Sequence, residues 1–226
     1  MKLQNTQNGE ENMKRHLTIG VVMGAFLLPI ISLAEELTGL ENLKMLGEYY
    51  DSDKGDITPV VNPAGKVRVM VLYQYQCADC AKMAPMILKL AKNHPEIRFV
   101  FKNLPDESEQ SLLAAQAELM VWLNGGEGAF LNYYADLFNG MSIDESVRKN
   151  GFPLLDKESE LRGFQHANAK LAKTTGFFAE QLNIQTLPAL IIASAENPVA
   201  RNNSILTGVV DEKTLLAAVE KAKRGE

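Results

Sequence analysis

Gln76-Cys77-Ala78-Asp79-Cys80-Ala81-Lys82-Met83-Ala84-Pro85 contains the only two cysteines of the chain, separated by two residues. The run before it, Val67-Arg68-Val69-Met70-Val71-Leu72-Tyr73, is β-branched and nearly all apolar. That is the composition of a strand buried on both faces. After it, Met83, Ile87, Leu90 and Ala91 recur at helical spacing, and Asn93-His94-Pro95 ends the run. Pro85 falls inside this helix and should kink it, because it removes a backbone donor. Ile97-Arg98-Phe99-Val100-Phe101 reads as a second strand. Strand, helix and strand in this order form a βαβ unit, hence a parallel pair, with the cysteines at the helix N-terminus.

A cysteine in that position faces unpaired backbone N–H groups and the positive end of the helix dipole. Both favour thiolate over thiol and make a nucleophile near neutral pH. Cys77 is at or before the first turn and should be the attacking sulfur. Cys80, one turn in, should resolve the mixed disulfide. The two residues between them tune the pair. Ala78 is neutral, whereas the Asp79 carboxylate repels a thiolate beside it and should make a weaker oxidant than a histidine there. A zinc site is the other reading of such a pair, but zinc takes four ligands. Beyond the leader described below, the chain offers only His94 and His166, neither at ligand spacing. No metal or organic cofactor is called for.

Upstream, Met13-Lys14-Arg15-His16 is a basic start and Leu17–Leu33 is apolar and uncharged. Ser32-Leu33-Ala34 then places small residues before Glu35, the pattern of a secretory signal (residues 1–34) cleaved after Ala34. An uncleaved anchor is the other reading of this stretch, which is at the short edge of a membrane span. Met1–Asn12 is polar and precedes the basic region, so translation is expected to start at Met13. Removing residues 1–34 takes away Lys2, Lys14, Arg15, Glu10 and Glu11 and leaves 20 basic against 26 acidic residues. An acidic balance argues against nucleic acid as a partner. Export to an oxidising compartment, the periplasm, also bears on the cysteines. Structural staples are common there, but a bridge across two residues closes too small a loop to add much stability.

Residues 35–62 read as a short helix and a linker. Leu37, Leu40, Leu43, Leu46 and Tyr49 form an apolar stripe. The stripe either packs on its own domain or serves as an oligomerisation arm, giving a homodimer through residues 35–56. Asp51–Gly65 is rich in turn residues and reads as the linker.

Downstream, Asp106-x-x-Glu109 resembles a capping box, and Leu112, Leu113, Ala115, Leu119 and Trp122 mark the buried face of the helix it starts. Asn124-Gly125-Gly126 should break that helix before an aromatic-rich one, Ala129–Phe138. Ser142-x-x-Glu145 starts another helix, which Asn150-Gly151 stops. Asp156 to about Leu182 reads as helical, with a break near Gly176. No strand pattern appears from Asn103 to Asn183. Ala189–Ala193 and Ser204–Thr207 then form a hairpin, and Asp211 caps a last helix bearing Leu215, Leu216, Ala218 and Val219. The units are residues 63–107, a helical insertion at 108–182, and 183–226.

Tyr73-x-Tyr75-x-Cys77-x-x-Cys80-x-Lys82-Met83-Ala84-Pro85 resembles the active-site segment of thioredoxin-fold proteins of the DsbA-like group. Gly65-Lys66-Val67 and Ile97–Pro105 are similar to the same group, and Thr186-Leu187-Pro188 matches its cis-proline loop. The resemblance spans about Pro63 to Lys223. It implies an α/β thioredoxin fold with an all-helical insertion between the second parallel strand and the cis-proline strand. It implies a cis bond before Pro188, with Thr186, Leu187 and Pro188 shaping the groove in which substrate peptide pairs as an added strand. Three positions depart from the pattern: Ala78-Asp79 replaces Pro-His, Leu187 stands where Val or Thr is usual, and Val71 replaces a buried acid found in several relatives. The N-terminal stripe is similar to the oligomerising segments of ScsC-like and DsbC-like proteins. The implied activity is disulfide exchange with cysteine-containing exported proteins, reset by a membrane or periplasmic redox partner. Asp79 and the arm lean toward isomerase or reductase, and the helical insertion toward oxidase. The non-enzymatic alternative is a binding module or chaperone for exported proteins.

Overall fold

The computed structural model describes residues 58–152, 173, 175–176, 179–196, 198 and 200–224. The leader, the Leu37–Tyr49 stripe and most of the helical region expected from Asp156 to Leu182 lie outside the described residues. In chain order the elements are β1 (Val60–Val61), β2 (Val67–Tyr73), α1 (Ala78–Asn93), β3 (Ile97–Asn103), α2 (Glu109–Phe138), α3 (Ile143–Lys149), β4 (Ala189–Ser194), β5 (Ser204–Thr207) and α4 (Glu212–Lys223). The strands make one sheet in the order β1-β3-β2-β4-β5. β2 and β3 are parallel, as the βαβ reading requires, and β4 and β5 form the antiparallel hairpin.

Every residue of β2 is buried, because both faces of the sheet are covered. Val67, Val69, Val71 and Tyr73 face α1 and α4 in the main core, with Phe99 and Phe101 of β3 and Leu190 and Ile192 of β4. Met70 and Leu72 point the other way, onto Ala179, Ala189 and Ile191. The period of two thus sorts the strand between two apolar layers, which is why its sequence does not alternate. α1 runs unbroken through Pro85. His94 caps its C-terminus, and its Nδ1 lies 2.9 Å from Glu96 Oε1.

Three expectations need correction. Val60–Val61, placed in the linker, pairs antiparallel with Val100 and Phe99 of β3; two residues are too few to carry a periodicity. Asp106 does not cap α2. Its carboxylate accepts the Ser108 amide and hydroxyl instead, and Ser108 is the cap, its hydroxyl accepting the Ser111 N–H at 3.3 Å. The buried face of α2 also differs from the expected stripe. Ala115 and Leu119 are buried as expected, but Leu112 is exposed, and Ser111, Ala114, Ala117 and Glu118 join the buried face. Small side chains let the helix approach closely, and Tyr133 donates its hydroxyl to the Ala114 carbonyl at 2.9 Å.

The expected break falls at Gly126, whose φ of 66° and ψ of −159° kink α2 and turn its second half back. That half delivers Phe130, Tyr134 and Phe138 onto Tyr73 and Phe101. The capping box at Ser142 and Glu145 forms as read. Lys149 pairs with the buried Asp136 at 2.6 Å and joins α3 to α2.

Gly65 marks a close approach between two segments of the chain. A Cβ there would stand 2.6 Å from the Ile97 carbonyl carbon and nearer still to the Arg98 amide nitrogen. These are backbone atoms at the start of β3 and cannot swing aside. Gly65→Ala is expected to destabilise the fold by about 2 kcal/mol, read as a lower urea midpoint with unchanged slope. An unchanged midpoint would show that β3 shifts freely.

Candidate functional site

The C-terminal ends of β2 and β3 and the N-terminus of α1 converge at the dithiol. Cys77 is the N-cap of α1, with extended φ and ψ of −87° and 113°. Its Sγ accepts the Cys80 amide N–H at 3.0 Å. A helix N-cap ordinarily uses an oxygen for this contact; here sulfur stands in that place, where the contact favours negative charge. Cys77 and Cys80 are joined as a disulfide, with Cα atoms 5.1 Å apart. Cys77 is half-buried, whereas Cys80 is 1% exposed. Only the first sulfur is open to a partner.

Ala78 is exposed and Asp79 half-buried on the first turn. The Asp79 carboxylate pairs with the Lys82 ammonium at 2.7 Å. The sequence reading missed this partner, although the three-residue spacing was visible. Such an exposed pair contributes little stability, but it blunts the field that Asp79 exerts on Cys77.

The Leu187–Pro188 bond is cis. Leu72 pairs with Ala189, so Pro188 falls one step past that pair, beside Tyr73 and the loop that carries Cys77. Pro188 is buried, Leu187 half-buried and Thr186 exposed. Leu187 and Cys77 pack against the same apolar core. The Pro188 carbonyl accepts the Gly208 N–H at 2.8 Å, which seats the loop on the β5 side.

A buried carboxylate behind the site was not anticipated. Glu118 of α2 is 1% exposed. Its Oε2 accepts the Tyr73 and Tyr75 hydroxyls, each at 2.6 Å, and the Asn103 Nδ2 at 3.2 Å. Burial pushes this carboxyl up to about 7, against the downward pull of its three donors. Burial and the Glu118 charge in turn raise both phenols well above their ordinary value. The signal was the helical spacing Ser111, Ala114, Ala115, Glu118, which puts an acid on the buried face. Next to Tyr75 and Gln76 opens a groove of about 540 Å³, lined by Leu113, Leu137 and Met141 among others.

Among the described residues no group of three or more His, Cys, Asp or Glu side chains is placed to hold a metal ion, and no helix is long and apolar enough to cross a membrane.

The architecture is the thioredoxin fold of the DsbA-like kind, a mixed α/β sheet with helices inserted between β3 and β4. No protein-family model and no curated protein matches the sequence. Solved structures do match. A linker-deletion variant of ScsC from Proteus mirabilis superposes with a TM-score of 0.64 at 22% identity, over 88% of this chain and 90% of that one. BcfH from Salmonella enterica Typhimurium gives 0.66 at 23% identity, over 87% and 85%. The thiol-disulfide exchange protein alpha-DsbA2 from Wolbachia pipientis gives 0.64 at 17% identity, over 83% and 97%. At these identities the likeness is one of fold.

Proposed function

We propose that the protein is an exported thiol–disulfide oxidoreductase that exchanges disulfides with cysteines of other exported proteins through Cys77-Ala78-Asp79-Cys80. One observation carries this reading: a half-exposed Cys77 sulfur at a helix N-terminus, disulfide-linked to a buried Cys80. In the oxidising direction a substrate thiolate attacks Cys77 Sγ and expels Cys80 as thiolate. A second substrate thiolate then attacks the substrate sulfur of the mixed disulfide and releases Cys77, leaving the substrate oxidised and the pair reduced. In the reducing direction the same steps run backward, with Cys77 attacking first. Thr186, Leu187 and cis-Pro188 offer backbone beside the dithiol for a substrate strand. The leader directs the chain to the periplasm, where a membrane or periplasmic partner resets the pair.

Asp79 biases the protein toward isomerase or reductase, since its charge disfavours the reduced, ionised Cys77. Lys82 offsets part of that charge, so the bias is modest. Asp79→His is expected to shift the equilibrium with glutathione toward the dithiol by about fivefold. An unchanged or more reducing variant removes Asp79 as a determinant of direction. The reading as a whole is tested by turnover: the protein should reduce insulin, rearrange scrambled ribonuclease or oxidise reduced ribonuclease, and a protein that does none of these is not an exchange enzyme.

A further inference from the structure

We propose that Glu118 is a positioning residue for the dithiol: its Oε2 gathers Tyr73, Tyr75 and Asn103 and so fixes the loop that presents Cys77. The inference rests on the exchange reading above but concerns a residue of the helical insertion, outside the Cys-x-x-Cys motif and the proline loop.

The donors come from three places at one rim of the sheet. Tyr73 ends β2, Asn103 ends β3, and Tyr75 is the middle of the three residues between β2 and Cys77. A single oxygen from α2 therefore ties the ends of both parallel strands and the catalytic loop to the insertion. The loop has two further holds. Gln74 Nε2 donates to Asp106 Oδ2 at 2.7 Å, and Cys77 N–H donates to the Gln74 carbonyl at 3.2 Å. Ring contacts of Tyr75 with Tyr73, Tyr133 and Phe138 restrict its side chain. Apolar contacts tolerate sliding, however, while a hydrogen bond sets the height of the phenol.

Packing alone does not account for a carboxylate here. A buried acid costs more than an apolar residue of similar size unless its hydrogen bonds are made. At this site one acceptor satisfies three buried or half-buried donors. The geometry it holds is the one the sulfur needs. The 3.0 Å contact from Cys80 N–H to Cys77 Sγ depends on where the preceding loop sets Cys77. A looser loop weakens that contact and with it the stabilisation of a thiolate.

The test compares Glu118→Ala, Glu118→Gln and Tyr75→Phe in the purified protein. The readouts are the pH titration of the Cys77 thiolate by ultraviolet absorbance, and kcat and KM for insulin reduction. Glu118→Ala and Tyr75→Phe should raise the midpoint of thiolate formation by about one pH unit. They should also lower kcat about tenfold, with KM within about twofold. Glu118→Gln keeps an acceptor oxygen for the same donors and should restore both values to within about twofold of wild type. A folded Glu118→Ala protein with wild-type midpoint and kcat overturns the proposal, and so does a Glu118→Gln protein as impaired as Glu118→Ala. Should Glu118→Ala fail to fold, Tyr75→Phe decides, since it removes one hydroxyl and leaves the ring. A wild-type protein whose Cys77 thiol titrates but which neither reduces, rearranges nor oxidises a substrate sinks the exchange reading and leaves the thiol titration to judge Glu118.

Discussion

Cys77→Ser is expected to lose insulin reduction and ribonuclease rearrangement by at least about a thousandfold, because a serine hydroxyl is not ionised near neutral pH and cannot replace a thiolate. Cys80→Ser is expected to behave differently. Its Cys77 still sits at the α1 N-terminus and still attacks, but nothing within the chain then releases the substrate. Mixed disulfides should accumulate with substrate proteins, visible as reducible adducts by mass spectrometry. The asymmetry follows from burial: Cys77 is half-buried and reachable, while Cys80 is 1% exposed. If Cys77→Ser matches wild type in both assays, the protein works through a groove rather than a dithiol, and the binding-module reading replaces the enzyme. If Cys80→Ser forms no adducts while Cys77→Ser does, the two roles are reversed.

The second large effect is on stability, and it runs against the usual trend for acids. Most perturbed carboxyls here are lowered by hydrogen bonds, such as Asp106 by Ser108 and Glu145 by Ser142, and they favour folding as pH rises. Glu118 is raised from its ordinary 4.5 to about 7 by burial. Between those values the folded protein keeps a proton that the unfolded chain has released. Unfolding then releases a proton, so stability falls as pH increases across that range. Above about pH 7 both states are ionised and the full penalty, about 3 kcal/mol, is present. Glu118→Gln carries no such proton. The difference in unfolding free energy between the two proteins should therefore shift by about 3 kcal/mol in favour of the variant between pH 4.5 and pH 8. Urea titrations at several pH values measure this, and the other titrating groups cancel in the difference. Parallel curves would mean that Glu118 binds its proton equally in the folded and unfolded states, so that burial does not raise it.

Much of the fold could be read along the chain because its local signals agree with one another. The apolar run at Val67–Tyr73, the caps at Ser142 and Asp211, the glycine at Gly126 and the hairpin after Pro188 each mark their element by composition. What stayed hidden depends on contacts distant in sequence. Val60–Val61 is a strand only because Val100 and Phe99 lie beside it. Leu112 looks like core until Ala114 and Ala117 show which way α2 approaches the sheet. The chemistry divides in the same way. Cys77, Cys80 and Asp79 are legible because they are neighbours in sequence, and the two cysteines are joined as a disulfide. Glu118 was missed because an acid four residues from Ala114 reads as a solvated charge unless the donors at Tyr73, Tyr75 and Asn103 are known.

The order of strands has a consequence for how the protein matures. β2 takes its parallel partner from the residues just after α1, but its antiparallel partner, β4, lies more than a hundred residues further along. Pairings over such a separation form late, since a long loop must close before any contact repays it. The cysteines, by contrast, are neighbours in sequence and can join as soon as both have been made. A chain in the course of folding therefore holds both cysteines before β4 brings Pro188 beside the Cys77 loop. The dithiol is thus a local feature of the chain, whereas its neighbourhood is completed only when the hairpin docks.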